Sequence, residues 1–132
     1  PLLMALAAGL AEFGGGLLLA LGVATPLAAL AITVVMLNAI ATVHWRNGFW
    51  NTRGGYEYPV LVWTVAVALA ATGGARFSLD ALIGWEGDLG GVWWGLAVLV
   101  GGALISAATL LLGRSSPAPE RAISEQPVRR AA

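Results

Sequence analysis

Glu12 is the one ionisable residue in the apolar stretch from Leu2 to Ala24. If that stretch is a helix in lipid, a rise of ~1.5 Å per residue puts the carboxyl ~15 Å below Leu2, near the middle of a hydrocarbon layer. An ionisable group there costs ~2.5–3.5 kcal/mol on insertion scales and turns toward a bundle interior or a partner. Lipid penalises the charged form, so a neutral carboxyl able to donate or exchange a proton is expected. Two polar residues of the following stretch could meet it, Asn38 and His44. Asn38 lies ~10 Å deep from the same side and is the better direct partner. His44 lies at the rim, ~13 Å shallower than Glu12, and would need a water, a ligand or a bent helix in between. Glu12 and His44 are therefore the candidate catalytic pair, for proton exchange. A plainer alternative stands beside it: Glu12 a structural hydrogen-bond donor to a neighbouring helix, His44 an interfacial histidine.

Around His44 the chain gathers Trp45, Arg46, Phe49, Trp50, Arg53, Tyr56, Glu57 and Tyr58. With Asn38, the residues Trp45, Arg46, Trp50, Arg53, Tyr56, Glu57 and Tyr58 form a candidate ligand-binding set. Aromatic belts and snorkelling arginines produce a similar pattern at any membrane surface, so the two readings stay open. His44 is the only histidine and there is no cysteine. No multi-histidine metal site, bis-histidine haem or disulfide can form within one chain. All seven basic residues are arginine, the formal net charge is zero, and no basic run interleaves with aromatics. Nucleic-acid binding is not expected.

These residues need elements to hold them, and composition says which kind. Of 132 residues, 58% are hydrophobic and 11% charged, with a mean hydropathy of +0.81. A soluble chain this short cannot hide so much apolar surface, because small domains bury only ~60–70% of their unfolded surface. The expectation is an all-α integral membrane bundle over residues 1–112, with four transmembrane helices over about 2–24, 26–45, 59–75 and 92–112. Each approaches the ~20 residues that a helix needs to cross, the third only marginally. Unbroken apolar runs, without the alternation of a barrel strand, argue for helix.

Thr25-Pro26 reads as a tight turn with proline opening the second helix, and Pro59 opens the third. Residues 78–88, with Leu79, Leu82 and Ile83 at helical spacing, read as an interfacial segment, a capping loop being the alternative. Residues 113–132 are proline- and arginine-rich and read as a disordered tail. Gly14, Gly15 and Gly16 in the first helix, and Gly91 and Gly95 at the head of the last, are expected at close helix–helix contacts. A ligand cleft beside Gly14 to Gly16 is the alternative. The chain opens at Pro1 without methionine or a charged leader, and reads as starting inside a longer protein rather than at a secretory signal.

With those residues assembled, the sequence resembles the DoxX family. The resemblance rests on Ala11-Glu12-Phe13-Gly14-Gly15-Gly16 with Thr25 after the apolar run, then Val43-His44 and Asn47-Gly48-Phe49-Trp50. It continues through Gly54-Gly55-Tyr56-Glu57-Tyr58-Pro59 and Arg76-Phe77-Ser78-Leu79-Asp80, in the family's order. It implies a small prokaryotic plasma-membrane (inner-membrane) protein with a four-helix core. Some such proteins are linked to thiosulfate oxidation with quinone as acceptor, others to complexes handling oxidative and thiol stress. The family's first helix has no counterpart here, and the span 92–112 lies beyond the usual family core.

The leading expectation is an accessory or quinone-interacting subunit of a respiratory or oxidative-stress oxidoreductase system, not an enzyme as an isolated chain. Quinone is the implied cofactor. Expected partners are the lipid bilayer and either other oxidoreductase subunits or further copies of the chain. The rivals are a small-solute or lipid transporter gated by Glu12, and an assembly scaffold with no chemistry. Arg46, Arg53, Arg114, Arg121, Arg129 and Arg130 fall on one side and Arg76 alone on the other, so positive-inside bias puts the tail in the cytoplasm.

Overall fold

The computed structural model describes residues 2–74, 77–85 and 89–114. Residues 115–132, which carry most of the expected disordered tail, and residues 86–88 of the expected interfacial segment lie outside the described residues. Four long helices carry the fold: α1 (Leu2–Leu21), α2 (Thr25–Ala39), α3 (Glu57–Thr72) and, after the single turn α4 (Leu79–Leu82), α5 (Val92–Arg114). No strand occurs among the described residues, as expected for an all-α chain. The last helix runs on through Arg114, slightly past the expected end at 112.

Helix α2 is the hub. It packs against α1, α3 and α5, and α3 packs in turn on α5, whereas α1 rests chiefly on α2. The core holds Ala29, Ile32, Val35, Met36, Ala66, Ala70 and Val98, so small side chains let the backbones approach. The large apolar residues point outward: Leu3 is 82% exposed, Phe13 76%, Trp93 83%. A soluble protein cannot leave such a surface in water, since the largest apolar patch on a typical monomer is ~300–600 Å².

Two helices, Thr25–Asn47 and Val92–Gly113, are long and apolar enough to cross a membrane, and neither is mostly buried inside the protein. Ala5–Leu21 and Glu57–Thr72 are shorter apolar helices. The expectation of four full spans therefore holds by length for two. The third stretch is curtailed because Gly73, at φ 76°, stops α3 at Thr72. The second is longer than expected but not uniform. Its α-helix ends at Ala39, continues as a π turn over Ile40–His44, then as a 3-10 turn over Trp45–Asn47. The wider π turn shifts the residues after it around the helix axis.

The α1–α2 connection is closed by a residue far along the chain. Asp80 is fully buried. Its carboxyl accepts from Ala24 N at 2.8 Å, Thr25 N at 3.2 Å and Thr25 Oγ1 at 3.1 Å, while its own N–H donates to Gly22 O at 2.9 Å. The first amides of α2 thus find their acceptor in α4. Ala24, held at φ 45°, is the one described non-glycine residue in the left-handed region, a position such residues rarely adopt. Gly22 at φ 62° is required twice over, because a Cβ there would collide with the Ser78 side chain.

Candidate functional site

Glu12 sits at mid-length of α1 and its side chain is exposed. The expected pairing with Asn38 does not form. Asn38 instead belongs to a seam between α2 and α5, donating through Nδ2 to Thr109 Oγ1 at 3.0 Å and accepting at Oδ1 from Ser106 Oγ at 2.9 Å. Helical rotation explains the correction. Helix α1 rests on Ile32 and Ala28, and six residues at ~100° each carry Asn38 roughly 120° around α2 from Ile32, toward α5. Depth along the axis was compatible with a Glu12–Asn38 bond, but direction was not.

The glycines divide by the same rule. A Cβ on Gly15 would lie 3.2 Å from Ile32 Cδ1 and 3.3 Å from Ala28 O, and one on Gly95 would lie 2.7 Å from Ala71 Cβ. These two mark close helix contacts. Gly14, Gly16 and Gly91 have open space where a Cβ would be, so the packing role expected of them is not theirs. Three consecutive helical positions point ~100° apart and cannot all face one neighbour. Gly102, which composition did not single out, is tighter, for its Cβ would strike Thr33 Cγ2.

Between α1 and α3, on the floor made by α2, runs a groove in two stretches of about 280 Å³ each that meet at Leu19. One stretch is wholly apolar in its lining, with Gly16 and Leu19 on one wall, Leu61, Val62 and Val65 on the other, and Ile32 and Ala66 beneath. The second stretch continues past Leu69 to Gly73, Gly74, Phe77 and Ser78 beside the Asp80 clasp. Glu12 lines neither stretch but lies on the same side of α1 as the residues that do. From the Gly15 direction, ideal helical spacing puts Leu19 roughly 40°, Glu12 roughly 60° and Gly16 roughly 100° to the same side. The carboxyl therefore stands one turn beyond Gly16 along the line of the groove. On α3, Tyr58 precedes Leu61 and Val62 at helical spacing and is 58% exposed. Since α1 and α3 run in the same direction, Glu12 and Tyr58, each one turn before the groove-lining residues of its helix, stand at a similar level.

His44 lies elsewhere in the arrangement. Its Nδ1 donates to Gly54 O at 2.6 Å, and Asn47 Nδ2 donates to the same oxygen at 3.1 Å. Neither Glu12 nor Asn38 is hydrogen-bonded to it, so the candidate catalytic pair is not assembled by direct contact. The loop beyond is built from local bonds: Tyr56 N to Gly48 O at 3.1 Å, Glu57 N to Phe49 O at 2.9 Å and Gly55 N to Trp50 O at 3.0 Å. Gly55 is buried against the carbonyls of Gly48 and Phe49, where any side chain would collide. Trp45 stacks on Tyr56 with ring centroids 5.6 Å apart, and Phe49 meets both Tyr56 and Trp50 edge-on. Glu57 Oε2 accepts from Asn51 N at 3.0 Å. Of the expected ligand set, Trp45, Arg46, Trp50, Arg53, Tyr56 and Glu57 are thus gathered into one small folded loop, Tyr58 stands at the head of α3, and Asn38 is withdrawn into the bundle.

Residues 1–45 match the DoxX family model. The resemblance read from Glu12, the glycine triplet and Val43-His44 is borne out for that segment, while the loop and the Arg76–Asp80 segment lie beyond it. No curated protein and no solved structure matches the chain. A segment similar to DoxX, joined to exposed apolar helices, points to a membrane protein.

The sequence reading missed Asp80 as a structural residue. Its partners, Ala24 and Thr25, are 56 and 55 positions away, and no local pattern exposes such a bond. A local hint existed in Ser78, whose Oγ accepts from Ala81 N and caps the turn that presents Asp80. No group of three or more metal-ligating side chains occurs among the described residues.

Proposed function

We propose that this DoxX-type protein is the membrane-embedded, quinone-interacting accessory subunit of a respiratory or oxidative-stress oxidoreductase system. The observation that supports the reading is the wholly apolar α1–α3 groove, with exposed Glu12 one turn before Gly16 on α1 and exposed Tyr58 one turn before Leu61 and Val62 on α3. An apolar channel open toward lipid along its length suits an isoprenoid chain, and the two side chains at its end suit a carbonyl-bearing ring. Tyr58 would hydrogen-bond one ring oxygen, and Glu12 would pass on one of the two protons taken up when a quinone accepts two electrons and becomes a quinol, the other coming from solvent. The electrons would come from a partner subunit, since the chain has no cysteine and no metal-ligand cluster among its described residues.

Under this reading α1 and α3 also cross the layer as the third and fourth spans, with the bilayer thinned around them or their ends extended by flanking residues. The host membrane would be a prokaryotic plasma membrane, with the arginine-rich end of the bundle in the cytoplasm. A photoreactive quinone analogue tests the site directly: cross-linked peptides should come from α1 and α3. Labelling confined to the 47–56 loop, or displaced equally by any long-chain alcohol, would overturn it.

A further inference from the structure

The loop that closes the His44 end carries two exposed arginines on turns that one shared carbonyl ties together. Arg46 lies on the 3-10 turn Trp45–Asn47 and Arg53 on the turn Asn51–Arg53. The Gly54 carbonyl, accepting from both His44 and Asn47, ties the second turn to the first. Both arginines are exposed, and neither forms an ion pair among the described residues. Glu57, the acid beside them in the chain, is turned back onto the amide of Asn51. Trp45 and Trp50 flank the pair, 65% and 61% exposed. The apolar run of α2 ends at Asn47 and α3 begins at Glu57, so the loop lies at the boundary of the lipid layer.

We propose that Arg46 and Arg53 form a docking site for the phosphate of an anionic membrane lipid. Charge complementarity selects the occupant. Two planar forks with no protein carboxylate to satisfy them match phosphate oxygens bidentately, and the indole rings beside them settle at headgroup depth. The backbone bonds of the loop fix the two turns that carry the arginines before any lipid arrives, so the loop itself needs little ordering on binding. A lipid is preferred to a free phosphate because the same loop exposes Trp45 and Trp50, whose rings suit headgroup depth. This inference is independent of the quinone reading, which concerns another part of the surface.

Native mass spectrometry of the full chain, exchanged between detergent mixed with phosphatidylglycerol and with phosphatidylcholine, tests it. The wild type should retain phosphatidylglycerol at least several-fold better and unfold at a higher temperature in its presence. The Arg46→Gln/Arg53→Gln variant should lose both effects while unfolding as the wild type does in phosphatidylcholine. Arg53→Gln alone should lose part, and Arg46→Lys/Arg53→Lys should keep the charge attraction but bind more weakly. Substitution of the tail arginines, Arg121→Gln/Arg129→Gln/Arg130→Gln, should leave the preference intact. Equal retention of the two lipids by the wild type, a preference that survives in the glutamine variant, or one that vanishes with the tail arginines would overturn the proposal. So would full stabilisation by inorganic phosphate without lipid.

Discussion

The two ends of this bundle are both closed by polar groups, but over very different distances along the chain. At one end, Asp80 reaches back 55 and 56 positions to the start of α2 and is sealed from solvent. At the other, His44 and Asn47 bond to Gly54 only 10 and 7 positions away, in an exposed loop that folds on itself. Long-range bonds made by a buried carboxyl join elements that would otherwise drift apart. Local bonds in an exposed loop shape a surface without joining much. Stability is expected to concentrate at the Asp80 end, leaving the His44 end free to serve as a contact surface.

The largest test of that contrast is Asp80→Ala. It removes the acceptor for a buried amide, a part-buried amide and a buried hydroxyl, and leaving such a donor without its partner costs ~1–3 kcal/mol. A loss of about 3 kcal/mol or more in detergent stability is expected, against about 1 kcal/mol for His44→Ala, whose bond is exposed. Equal shifts in thermal unfolding would break the comparison. Next comes packing. Gly95→Leu and Gly102→Leu should each cost at least ~1–3 kcal/mol, because α3 or α2 must move away. Gly14→Leu and Gly16→Leu, which meet open space, should be nearly silent. A large cost at Gly14 would mean that another helix covers α1 in the intact assembly.

Smaller effects sharpen the picture between the ends. Asn38→Ala should cost nearer ~0.6 kcal/mol than several, the average for interhelical hydrogen bonds in bilayers. Thr33→Val should be neutral or slightly stabilising, since Thr33 Oγ1 is fully buried and has no partner. Smallest in stability, yet decisive for function, is Glu12→Gln. With the side chain exposed and unbonded, unfolding should not change, whereas quinone reduction in membranes carrying the partner subunits should be abolished because an amide cannot exchange the proton. Full activity of a stable Glu12→Gln protein would remove Glu12 from the chemistry. Orientation is checked separately: in a chain without native cysteine, Ser116→Cys should resist an impermeant maleimide in intact cells.

Several of these features were legible before any coordinates. Pro26 opening α2 and the polar loop after Trp45 each rest on short-range chemistry that the sequence states outright. The mistaken pairing of Glu12 with Asn38 came from using depth alone. Asp80 escaped notice because a charged residue on a short turn looks the same whether it faces water or caps a helix more than fifty positions away.

Composition, proline and glycine positions and unbroken apolar runs determined that the chain is helical, that it belongs in lipid, and where its helices roughly begin and end. Which way each helix faces was left to the tertiary structure. A soluble helix announces its inner face by an apolar stripe opposite a polar one. Helices apolar on all sides carry no such mark, because lipid and protein interior accept the same side chains. Only the packed bundle, through the close approaches at Gly15, Gly95 and Gly102, turned Asn38 inward toward α5, left Glu12 on the open wall of a groove, and brought Asp80 onto the amides of Ala24 and Thr25.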